Sequence, residues 1–93
     1  IVNTICEILN QERPLGNGRS YKEQIKFVPD RPGHDFRYAV DASKIEMELN
    51  WKPKESFKTG IKKTISWYLK NKSWCDRIIE NRYKQQRLGL KIK

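Results

Sequence analysis

The chain has 93 residues, with 20 basic against 11 acidic side chains, a net charge of +9 and 37% hydrophobic residues. That length allows one small domain with a small core; no apolar run approaches the ~20 residues that span a bilayer, and the first residues lack the pattern of a signal peptide. Cys6 and Cys75 form no CxxC and have no companion histidine cluster, so the pattern argues against a metal site and reads as two reduced thiols.

A pI near 9.8 permits nucleic acid or an anionic membrane as partner. The basic excess lies late, from Lys52 to Lys93, and no DNA- or RNA-binding pattern accompanies it, so neither partner is expected. The chain opens on Ile and not on Met, which reads as a processed or truncated polypeptide.

Ile1, Val2, Ile5, Cys6, Ile8 and Leu9 wrap one face of a helix over residues 1–10. Residues 11–21 hold Pro14, Gly16, Asn17, Gly18 and Ser20 and predict a mobile loop. Gly16-x-Gly18 follows no strand and opens no helix, so it is a plain turn and not a dinucleotide loop. Ile25-Lys26-Phe27-Val28 alternates and predicts a short strand; Phe36 to Val40 predicts a second.

A helix then runs from a cap at Asp41 or Ser43 to about Leu49. Ser43-Lys44-Ile45-Glu46 has capping-box spacing, and Pro53 blocks resumption after Trp51. The clearest helix opens at Ser56, with Phe57, Ile61, Ile65, Tyr68 and Leu69 on one stripe. Phe57, Trp67 and Tyr68 are assigned to packing, and Gly60 to close approach of a neighbour. Trp74, Ile78 and Ile79 predict a further short helix, and residues 84–93 a basic, flexible tail.

Between the two predicted strands lies Asp30-Arg31-Pro32-Gly33-His34-Asp35. Pro32 fixes its own φ and extends Arg31; Gly33 can take positive φ and lets another molecule approach the backbone. Arg31 offers a planar fork of donors to phosphate oxygens, and His34 a donor whose charge responds to an anion. The alternative is a solvated surface turn, since Pro-Gly is a common loop dipeptide.

The runs Val28–Asp35, Arg37–Ile45 and Glu48–Pro53, then Phe57, Gly60–Ile65, Trp67-Tyr68-Leu69, Trp74 and Tyr83, resemble the C-terminal part of dTDP-glucose 4,6-dehydratases. These are extended short-chain dehydrogenases/reductases acting on nucleotide sugars. The resemblance implies an α/β, α+β-like substrate-binding part: mainly helices with two or more short strands over residues 1–83, with the NAD-binding Rossmann domain absent from this chain. It also implies that Asp30, Arg31, Pro32, Gly33 and His34 hold the substrate's diphosphate. Asp30 would orient Arg31 or the loop, since its own charge repels phosphate. Tyr83, nine residues after Trp74, would reach the substrate; Asn81-Arg82 stands where the family often has two small residues.

The family reaction turns dTDP-glucose into dTDP-4-dehydro-6-deoxyglucose and water by NAD-dependent oxidation, elimination and reduction. It needs a glycine-rich loop, a Tyr-x-x-x-Lys pair and an acid/base carboxylate pair. Tyr68-x-x-x-Lys72 matches the bare pattern, but Tyr68 lies on the apolar stripe and no cofactor loop precedes it. No catalytic or cofactor-binding residue is therefore assigned in this chain, and it is expected to be inactive alone. The implied parent is a cytoplasmic lyase and a homodimer. Two readings stand beside this one: part of another nucleotide-sugar dehydratase or epimerase, and a free-standing basic nucleic-acid-binding module.

Overall fold

Helix formation follows local sequence wherever a cap and an apolar stripe coincide. A computed structural model describes residues 1–82, 84 and 85. It contains α1 (Val2–Glu12), a 3-10 turn (Tyr21–Gln24), α2 (Ser43–Leu49), α3 (Phe57–Lys70) and α4 (Lys72–Asn81). α3 has the best-defined start: Ser56 Oγ accepts from the Thr59 N–H, and the Thr59 hydroxyl accepts from the Ser56 N–H. Two otherwise orphaned donors are thereby satisfied. α2 ends at Asn50, in the left-handed region with φ of 51°. Asn tolerates that region better than most side chains, so the helix stops there before Pro53 is reached.

The capping box predicted at Ser43–Glu46 does not form. Ser43 already lies inside α2, and Ala42 flanks the helix without a side-chain cap. Asp41 instead accepts the Ser43 N–H at 3.0 Å and the Ser43 hydroxyl, an Asx-type turn that leads the chain into the helix.

α1 packs on the 3-10 turn and on α3, and α3 on α4; α2 packs on none of them. Cys6 of α1 and Ile65 of α3 are the buried hydrophobic residues. Ile61 and Leu69, one turn to each side of Ile65, are half-buried. Three hydrogen bonds hold the ends of loop 13–20 together. Asn10 Nδ2 donates to Ser20 Oγ, Asn10 Oδ1 accepts from the Tyr21 N–H, and the Tyr21 hydroxyl donates to the Arg13 carbonyl at 2.6 Å.

The α/β expectation is overturned: the described residues form helices and no strand. Residues 25–28 and 37–40 take no regular structure, Phe36 sits at a bend, and their backbones join no ladder. A strand is stable only when a neighbour takes its hydrogen bonds and a core covers one face. Here Phe27 is 95% exposed, Phe36 104% and Val40 92%. The alternating pattern is present and the second strand is not.

Two smaller expectations fail for the same reason, a shortage of covering chain. Phe57 and Tyr68 lie exposed and not in a core. Trp67 meets Tyr68 and Trp74 edge to face, each at 5.2 Å between ring centres, in a surface cluster. A Cβ added at Gly60 would meet Glu55 Cβ at 3.6 Å, an ordinary contact, so no tight neighbour requires glycine there.

The accessible surface is 9105 Å². A compact monomer of this mass exposes about 5,700 Å². The radius of gyration is 17.5 Å, against about 12 Å for a compact domain of this length. The described residues form a helical cluster with an open arm, residues 25–42, leading to α2, which packs on no other described helix.

Candidate functional site

The open arm carries the Pro-Gly bend. The His34 N–H donates to the Arg31 carbonyl at 3.2 Å, closing a four-residue turn. Pro32 occupies its second position and Gly33 its third, with φ of +73°. This is the type II arrangement, in which the third residue must sit at positive φ. Open space surrounds the place where a Gly33 Cβ would stand. Pro32 through Asp35 are exposed and Arg31 is half-buried.

Among the described residues Arg31 makes no ion pair and no side-chain hydrogen bond, so its fork of donors is unused. Asp30 approaches His34 instead, Oδ1 to Nδ1 at 3.8 Å. The distance exceeds a hydrogen bond and is that of an ion pair when the imidazole is charged. Asp30, Arg31, Pro32, Gly33 and His34 thus lie together at one turn. Tyr83, the remaining predicted contact, lies outside the described residues, as does the tail beyond Gln85.

The turn is a ridge and lines neither of the two large hollows. A hollow of about 510 Å³ lies between Val40, Ala42, Ile45, Leu49 and Trp51. A second, of about 1020 Å³, is bounded by Ile1–Asn3, Lys22 and Gln24–Val28. Sequence reasoning did not mark the first as a surface feature. Its signal was present: Ile45 and Leu49 are one helical turn apart, and Trp51 follows immediately.

Charged groups elsewhere are engaged locally. The hydrogen bond from Lys63, then that from Thr59, holds the Glu55 carboxyl below its ordinary value. The hydrogen bond to Asp76 raises Lys72 above the usual lysine value. Lys72 Nζ lies 2.8 Å from Asp76, and Tyr68 packs on Trp67. Tyr68 lies on α3 and Lys72 opens α4, each engaged with a neighbour other than the other.

A nicotinamide dinucleotide would need backbone N–H groups converging at a glycine-rich strand-to-helix turn. Gly16 and Gly18 do not meet that need. They lie between α1 and the 3-10 turn, no strand precedes them, and the Gly18 N–H is taken by the Leu15 carbonyl at 3.2 Å. The residues here do not fit that cofactor. Among the described residues no metal-binding cluster converges and no helix is long and apolar enough to cross a membrane; Cys6 and Cys75 are free thiols.

The helical cluster carries an exposed bend of mixed charge on an uncovered arm. The model of the GDP-mannose 4,6 dehydratase family matches residues 1–64, and the chain belongs to that family. It is 50% identical over 93 aligned residues to a dTDP-glucose 4,6-dehydratase of Escherichia coli, covering 97% of this chain and 25% of that protein. The same named enzyme of Neisseria meningitidis serogroup B is 49% identical, with 96% and 26% covered. That of Xanthomonas campestris pv. campestris is 44% identical, with 99% and 26% covered. The chain thus spans about a quarter of the length of these relatives. No solved structure matches it significantly.

Proposed function

We propose that this chain is the C-terminal, substrate-binding part of a dTDP-glucose 4,6-dehydratase, the lyase that converts dTDP-glucose to dTDP-4-dehydro-6-deoxyglucose and water. The observation that carries the reading is identity of 44–50% along nearly the whole chain to relatives all bearing that name. In this reading NAD and the catalytic groups belong to a Rossmann domain of the same polypeptide, in a cytoplasmic homodimer. The present residues contribute binding.

Arg31 is the diphosphate ligand. The residue is half-buried, its guanidinium is unpaired among the described residues, and Pro32 restricts its backbone. A guanidinium already held by a carboxylate would have to break that pair first. His34 adds a second donor from the closing position of the same turn, and Gly33 keeps the approach clear of side-chain atoms. Tyr83 completes the substrate contacts.

The test uses the full-length polypeptide carrying this segment. It should form the 4-keto product from dTDP-glucose with NAD. Arg31→Ala should weaken substrate binding by about 2–3 kcal/mol, the loss expected for a charge-assisted hydrogen bond, with NAD binding little changed. An unchanged KM in Arg31→Ala would refute the diphosphate role.

A further inference from the structure

We propose that the apolar hollow on α2 is a docking surface for the N-terminal remainder of the same polypeptide; this rests on the reading of the chain as the C-terminal part of a longer enzyme. Ile45 and Leu49 stand one helical turn apart on one face of α2, Val40 precedes the helix and Trp51 follows it. Together they line the hollow of about 510 Å³. Val40 is 92% exposed and Leu49 71%.

A helix of seven residues is too short to persist in water on its own hydrogen bonds. It holds where something packs on its apolar face. Among the described residues α2 packs on no other helix, so the covering chain comes from elsewhere. The relatives say where. This chain is 44–50% identical to them and spans 25–26% of their length, so about three quarters of such a polypeptide lies outside it.

A second copy fits poorly. An interface that holds two separate proteins buries roughly 800 Å² and 20–30 residues a side. The hollow offers four large apolar side chains on and beside two helical turns. A patch that small suits a surface already tethered nearby, because the chain connection removes most of the entropy lost on association. The docking also bears on the diphosphate turn. Val40 follows His34 by six residues, at most about 20 Å of extended chain. A seated hollow therefore keeps the turn within that reach of the body that carries NAD in the reading above.

The test places the photo-crosslinker p-benzoylphenylalanine in the full-length polypeptide at Lys44, on the rim of the hollow, or at Met47, on α2 but outside the hollow. Both positions are exposed and accommodate the bulky ring. Irradiation should join position 44 to peptides N-terminal to this segment, in a product with the mass of a single chain on a denaturing gel. Position 47 should give far less of it. Amide exchange supplies an independent reading. Leu49→Gln should speed exchange over residues 43–49 about tenfold, through loss of a covered leucine side chain, while Met47→Gln should leave it within about twofold. Both replacements keep a good helix former in place.

A product of doubled mass assigns the hollow to a second copy and overturns the proposal. So do cross-links confined to this segment, no cross-link at all, equal yields from the two positions, or equal exchange in the two glutamine variants. The underlying reading is judged by turnover. If the unmodified full-length polypeptide forms no 4-keto product while position 44 still joins N-terminal peptides, the proposed activity fails and the docking surface stands.

Discussion

The helices α3 and α4 and the arm from Ile25 to Ala42 both carry large apolar side chains at the surface, yet only the helices are regular. A helix closes its hydrogen bonds within its own segment, so α3 needs just its Ser56–Thr59 box and one stripe against α1. The arm has strand-like alternation, but a strand takes its hydrogen bonds from a neighbour. The Pro-Gly turn forms within the arm all the same, because a type II turn closes on itself over four residues. Local chemistry survives in both regions; whatever depends on distant chain survives only in the helical one.

The largest expected effect breaks the helical region. Ile65→Ala removes one of the buried hydrophobic side chains. The loss for such a truncation is about 2–5 kcal/mol, enough to unfold a cluster this small. Circular dichroism at ~222 nm should lose most of its helical signal, while the turn, closed over four residues, has no reason to respond.

Gly33→Ala tests the arm. A residue with a Cβ held at φ +73° pays a strain of about 1–2 kcal/mol. The turn should reopen and substrate KM in the full-length enzyme should rise severalfold, with the helical signal unchanged. Equal loss of helicity would show that the two regions are coupled and the contrast is false.

Ser56→Ala sharpens the claim that α3 starts on local chemistry. Removing the cap should lower helix stability by about 1 kcal/mol, read as a lower melting temperature, and Ser56→Thr should restore most of it. A smaller effect concerns α2. The Ser43 hydroxyl bond, then the Ser43 backbone bond, holds the Asp41 carboxyl below its ordinary value of 3.8. The folded carboxyl is therefore more acidic than the unfolded one. Its contribution is complete above the unfolded value and is lost as pH falls through the lower, folded one. The order of the 41–49 segment should fall only in strong acid, and Asp41→Asn should flatten that dependence in a pH titration of its amide signals.

Much of the site was legible early because its determinants are contiguous. Pro32 and Gly33 specify the turn by their own dihedrals, and Arg31 and His34 are placed by it. The approach of His34 to the Asp30 carboxylate, at 3.8 Å, was not legible, because only the bend brings the two together. The core packing expected of Phe57, Trp67 and Tyr68 was overturned, since all three stay exposed. Helical spacing tells which side chains share a face, and says nothing about whether any chain covers it.

From its residues alone this chain is committed to its helices, to the position of its bend and to its family. These rest on interactions between residues a few positions apart, or on identity read along the line. Only the folded arrangement decided that the two predicted strands stay unpaired, that α2 stands apart and that Asp30 meets His34. Ladder pairing, face burial and ion pairing depend on which groups arrive within a few ångströms, and one-dimensional spacing does not contain that distance.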